Sequence, residues 1–223
     1  MGFSGFSREA MEFLFTLQFN NTMEQLSENK ARYKTLITEP LTLLFSDIAP
    51  VALSVSPSIE TKPSKCISSM YSDMRFAKGT PLKTYMYLRF REMCNEENML
   101  GLYFDLGCEY YSYGLRIYKQ TSAGMSIIRG DILKKEEQYA RVLTEIAASG
   151  ASIVGDSFKK DHYPDMENGD LKALLNHKGF YICYNKKTSD AVFSATLADE
   201  ISTAFYDIKD IYMLLKESLY GGI

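Results

Sequence analysis

Histidine and cysteine are scarce in this 223-residue chain, and the few present are spaced in ways that exclude several chemistries. The two histidines, His162 and His177, fit neither an HExxH nor an HxxxH spacing, so neither common helical zinc pattern is present. Cys66, Cys94, Cys108 and Cys183 form no CxxC pair, which points to reduced, metal-free thiols rather than a zinc or redox site. There is no GxSxG, GxxxxGK[ST] or GxGxxG, which removes the nucleophile elbow, the Walker loop and the dinucleotide fingerprint. No cofactor and no metal are therefore expected. No unbroken apolar run approaches the roughly 18 residues that cross a bilayer, so no membrane partner is expected. The start lacks a basic region followed by an apolar one, and Phe6 stands where a myristoylation signal needs Ser or Thr. The expected compartment is the cytoplasm.

What is present has an ordinary globular balance, 46% apolar and 24% charged, with 25 Lys+Arg against 28 Asp+Glu. These proportions exclude disorder and low complexity, and the length corresponds to one domain over residues 1–223. A net charge of -3 argues against non-specific binding to nucleic acid, which is not an expected partner. Nothing in the pattern specifies an oligomeric state.

Periodicity predicts an α+β domain. Ser7 can cap a helix carrying Met11, Leu14 and Phe15, and Asn20-Asn21-Thr22 interrupts it. A second helix runs through Tyr33 and Ile37, is bent or restarted by Pro40, and gives way near Pro50, Pro57 and Pro63 to an irregular stretch. Strict alternation then predicts strands over 84–91, 99–106 and 109–118, joined as an antiparallel meander, with Gly114 as a bulge or close-approach point. A long helix from Thr121 or Ser122 to Ile146, a strand after Gly155, a short helix around Leu171, a strand over 180–184 and a terminal helix from Leu197 complete a mostly antiparallel sheet flanked by helices. In the first strand Tyr85, Tyr87, Arg89 and Arg91 share one face; such a face could hold a base or sugar, but packing under a helix is the favoured reading.

One segment could carry chemistry. Between Glu60 and Arg91 stand seven basic residues, Lys62, Lys65, Arg75, Lys78, Lys83, Arg89 and Arg91, opposed only by Glu60 and Asp73. Such a local excess in an acidic chain attracts anions. Asp73, two residues from Arg75, can orient the guanidinium for a phosphate or carboxylate, and Lys78 and Lys83 flank the Gly79-Thr80-Pro81 turn. Asp73, Arg75, Lys78 and Lys83 are therefore the candidate ligand-binding residues, with Phe76 expected to anchor the Asp73–Arg75 pair in a buried position. No catalytic residue is assigned.

The stretch Tyr71-Ser72-Asp73-Met74-Arg75-Phe76-Ala77-Lys78, with Thr80-Pro81-Leu82-Lys83-Thr84, resembles the signature of domain-of-unknown-function family 2461, roughly R-x-x-R-D-x-R-F, a lysine-containing turn and P-Y-K. Gly5-Phe6-Ser7, Asn20-Asn21, Glu28-Asn29-Lys30, Ile128-Arg129 and Lys160-Asp161-His162 agree as well, so the likeness spans nearly the whole chain. The resemblance implies a divergent member of a mainly bacterial family without an assigned activity. Ser69 and Ser72 stand where the family has arginines, and Leu82 where it has tyrosine. If those arginines bind an anion, this chain has lost part of that capacity; if they are structural, other packing replaces them. The leading reading is a binding module for a phosphorylated or otherwise anionic small molecule. The alternatives are an enzyme on such a substrate, with Asp73 or Asp161 as general base, or a structural protein with no ligand.

Overall fold

The computed structural model describes residues 2–73, 75, 79–93 and 97–221. The Ser7 hydroxyl accepts from the Ala10 backbone N–H at 3.0 Å and opens α1 (Arg8–Thr16), as its sequence position predicts. Asn21, in the following turn, is 5% exposed, donates to the Leu82 carbonyl at 2.7 Å and accepts from the Leu82 N–H at 3.1 Å. This amide therefore completes the backbone bonding of a residue far away in sequence and pins the segment after Pro81 to the N-terminal helices.

Helix α2 (Leu26–Tyr33) passes through a π-helical stretch, Lys34–Thr38, into α3 (Glu39–Val55). Pro40 lacks an N–H, and a widened turn just before it accommodates the missing bond. Pro50 does not end the helix as expected: α3 continues to Val55 because Leu41, Leu44, Phe45, Ile48, Ala52 and Val55 hold one face in the core. A helix with one face buried in a core can also meet the length and composition test for a membrane span, as the run Leu26–Val55 does. Its 30 residues reach a mean hydropathy of 1.5 over the best window, long and apolar enough to cross a membrane by length and composition. Isolated Thr, Ser, Asp and Glu break the apolar runs without lowering that average much.

After the short α4 (Pro63–Cys66) come β1 (Met86–Arg91), β2 (Met99–Leu106) and β3 (Tyr110–Tyr118), an antiparallel meander in the predicted places. The predicted long helix is broken at Lys135 into α5 (Ser122–Lys134) and α6 (Glu136–Ala148). Strand β4 (Ser152–Val154) ends where a strand start was expected, because a Cβ on Gly155 would lie 2.0 Å from the Gly179 carbonyl oxygen. Then follow α7 (Gly169–Asn176) and β5 (Tyr181–Lys187). The terminal helix is likewise two, α8 (Thr196–Asp207) and α9 (Lys209–Tyr220), jointed at the fully buried Ile208. The joint lets Ile201 and Phe205 on one helix and Ile211, Tyr212 and Leu215 on the next all reach the core.

All five strands join one antiparallel sheet, in the order β1-β2-β3-β5-β4. Met86, Leu88 and Phe90, then Leu100, Leu102, Phe104 and Leu106, point into the same core as α3, α8 and α9. At the end of β1, Glu92 is 2% exposed and ties three elements together. It accepts from Ser56 and Ser58 at 2.6 Å each and from Tyr212 at 2.8 Å, and pairs with Lys216 at 3.1 Å. Burial pushes its carboxyl up, but those hydrogen bonds outweigh burial and hold it below the usual glutamate value.

Candidate functional site

The antiparallel register fixes which residues share the sheet face opposite the helices. Tyr87, Asp105, Ser112 and Asn185 form one row; Arg89, Tyr103, Gly114 and Cys183 the next; Arg91, Gly101, Arg116 and Tyr181 the third. Tyr103 and Cys183 are each 1% exposed, yet neither belongs to the main apolar core. Tyrosine on β1 was expected to pack beneath a helix. That arrangement occurs instead at Tyr111 and Tyr113 on the other face, whose hydroxyls donate to Glu200 of α8 at 3.3 Å.

One position in the middle of this face carries no side chain for a covalent reason. Gly114 has φ +149, and a Cβ there would lie 2.1 Å from the Ile182 carbonyl oxygen, so β3 and β5 approach closely only with glycine at this position. This is the close-approach role foreseen for Gly114, with the ladder unbroken. One row along, where Ser112 contributes only a short side chain, a cleft of about 300 Å³ opens beside Tyr103, Asp105 and Arg116. Every residue lining it comes from the sheet or the stretches adjoining its strands. Its volume is at the lower end for small-molecule sites.

Three cations meet aromatic rings along this face. The Arg116 guanidinium carbon sits 4.7 Å from the Tyr103 ring centre and 5.1 Å from that of Tyr181. The Arg89 guanidinium lies 3.8 Å from the Tyr87 ring and 5.4 Å from the Tyr118 ring. Lys83 Nζ is 5.0 Å from the same Tyr87 ring and donates to the Ser69 carbonyl at 2.8 Å. A guanidinium held by its π-face keeps its edge N–H donors for planar anions. Three buried polar atoms here have no hydrogen-bond partner: Arg89 Nε, Asp105 Oδ1 and the Tyr118 hydroxyl. Burial pushes the Asp105 carboxyl up, with the charges of Arg116 and Arg89 pulling it partly back. Burial also raises the Tyr118 hydroxyl to about 12.

The residues singled out from sequence are placed differently. Asp73 and Arg75 do meet, through Arg75 Nε at 2.9 Å and Nη2 at 2.6 Å, but the pair stands in solvent with side chains 46% and 81% exposed. The expected burial is thus corrected: a chelate closed within three residues needs nothing from the core. Hydrogen bonds from Arg75 hold the Asp73 carboxyl below its usual value, which makes it a weak base. Lys78 and Phe76 lie outside the described residues, as does Cys94. Cys66, Cys108 and Cys183 are free thiols. Asp161 accepts from the Tyr163 N–H and from Asn176, and pairs with Lys172 at 3.0 Å. These partners, the backbone bond foremost, lower it to about 2, so it too is a poor base.

Ser69 and Ser72 hold the segment through short backbone contacts. The Ser69 hydroxyl accepts from the Tyr71 N–H at 3.2 Å, and the Ser72 N–H donates to the Pro81 carbonyl at 2.9 Å. Sequence reasoning set Arg89 on a tyrosine-bearing face but missed Asp105, Tyr103 and Arg116. The usable signal was the alternation in all three meander strands, since the same pairing that buries Leu102 and Leu115 turns Tyr103 and Arg116 outward together. A family model described as "Conserved hypothetical protein (DUF2461)" matches residues 9–213. No curated protein matches the chain.

Proposed function

The chain belongs to that conserved hypothetical family, and we propose that it is a binding module for an anionic small molecule, held on the open sheet face by Arg89 and Arg116 with Lys83 at the margin. The observation that carries this reading is Arg116, which lines the cleft over the Tyr103 and Tyr181 rings, with Arg89 on the same sheet face and no carboxylate in salt-bridge contact with either among the described residues. Both charges act on Asp105 through space, but a guanidinium with no direct carboxylate contact keeps N–H donors for an anion on a ligand. Lys83 belongs both to this face and to the Asp73, Arg75, Lys78 and Lys83 set, so the basic segment borders the site.

An enzyme on a phosphorylated or carboxylated substrate is the second reading, favoured by Asp105. It is the carboxyl in the cleft, and burial raises its pKa, which makes it a better base than Asp73 and Asp161, whose partners lower theirs. The test is thermal unfolding of the full chain with increasing inorganic phosphate. The wild type gains melting temperature, while Arg89→Gln and Arg116→Gln lose that gain. An unresponsive wild type, or variants that respond as it does, would overturn the proposal.

A further inference from the structure

We infer that the ligand of this face is a sugar phosphate, with its phosphate on Arg116, a hydroxyl donated to Asp105 and its ring against Tyr85 and Tyr110; the inference rests on the anion-binding reading above. Asp105 lines the cleft, and its Oδ1 is buried without a donor. Oδ1 is closed to solvent, but the Asp105 residue lines the cleft, so a ligand group set against its carboxyl is matched best if it brings a hydrogen to donate. A carboxylate or a fully ionised phosphate ester brings none and adds a second negative charge beside the carboxylate. A hydroxylated ligand with its anion at the other end satisfies Arg116 and Asp105 together.

The mouth of the cleft supports the same chemistry. Tyr85 and Tyr110 both line it while remaining 47% and 59% exposed, so two aromatic rings stand in water beside a polar floor. Such rings take the apolar face of a sugar ring while the floor takes its hydroxyls. Ser112 contributes a further hydroxyl, 3.0 Å from that of Tyr103.

Titration calorimetry on the full chain with glucose 6-phosphate, ribose 5-phosphate, ethyl phosphate and the two unphosphorylated sugars tests this. In the wild type at least one sugar phosphate is expected to bind about tenfold more tightly than ethyl phosphate, the worth of one hydrogen bond to a charged group. Asp105→Ala should abolish that preference without weakening ethyl phosphate, and Asp105→Asn should reduce it. Running both variants keeps the test decisive if one fails to fold. Equal binding of sugar phosphates and ethyl phosphate by the wild type, or an undiminished preference in a folded Asp105 variant, would overturn the sugar assignment and leave the anion reading standing. Binding of free sugar as tight as of sugar phosphate would overturn the anion reading. No binding of any probe would overturn both.

Discussion

Two groups of arginines sit close together along the chain, before β1 and within the meander, and the protein uses them in opposite ways. Arg75 spends Nε and Nη2 on the adjacent Asp73, in solvent, so the pair presents little net charge. Arg89 and Arg116 sit over tyrosine rings across a sheet face, and the nearby carboxylate, Asp105, has an oxygen that no donor among the described residues reaches. The count of basic residues in the sequence weighs Arg75 and Arg89 alike and leaves Arg116 outside the segment. What separates them is the partner each charge has already found, and that partner is set by local chain geometry in one case and by strand register in the other.

Glu92 gives the largest effect by which to sharpen the contrast, since it is a charge near β1 that is both buried and fully partnered. Glu92→Ala strands the Lys216 amine and should cost about 3–5 kcal/mol in urea unfolding, with Glu92→Ala/Lys216→Met recovering part of the loss. A loss no larger than that of an ordinary surface substitution would mean the network is dispensable.

The next effect is on binding. Arg116→Gln should weaken phosphate-ester binding about tenfold or more while the melting temperature without ligand stays near that of the wild type. A large fall in stability with unchanged affinity would turn Arg116 into a packing residue and erase the contrast.

The pH dependence of stability separates the two buried carboxyls by sign. Glu92 is held below its ordinary 4.5 in the folded state, so its contribution is complete above that pH and is lost as the pH falls through its folded value. Asp105 is held above its ordinary 3.8, so its contribution is complete below that pH and is lost as the pH rises through its folded value. Glu92→Gln should therefore flatten the acid limb of the stability profile. Asp105→Asn should raise the melting temperature at neutral pH, the pattern expected of a site whose polar groups await a ligand. A fall at neutral pH on Asp105→Asn would show that its carboxylate serves the fold.

The smallest effect is expected at the exposed pair. Asp73→Ala and Arg75→Ala should leave the urea midpoint indistinguishable from that of the wild type, because an ion pair open to water is screened and replaced by hydration. A measurable non-additive loss would place the pair in the stabilising framework after all.

Much of the fold was legible because burial and local periodicity agree. Met86, Leu88 and Phe90 alternate with polar residues, and the strand they announce is where the pattern puts it. The helix joints at Lys135 and Ile208 were not legible, since neither position carries the proline or glycine that marks a break; tertiary packing sets both. Pro50 misled in the opposite direction, a breaker tolerated inside α3. For the candidate site, the motif around Arg75 drew attention through density of charge. Asp105 and Arg116 escaped it because each is the single charged residue of its strand. Arg116 becomes a neighbour of Tyr103 and Tyr181 only when three strands pair in one register.

The most direct measurement is a single calorimetric series with ethyl phosphate on the wild type, Arg75→Ala and Arg116→Gln. If the sheet face holds the anion, Arg75→Ala binds as the wild type does and Arg116→Gln binds about tenfold more weakly or not at all. Loss of binding in Arg75→Ala with full affinity in Arg116→Gln would contradict that assignment and move the site to the exposed turn.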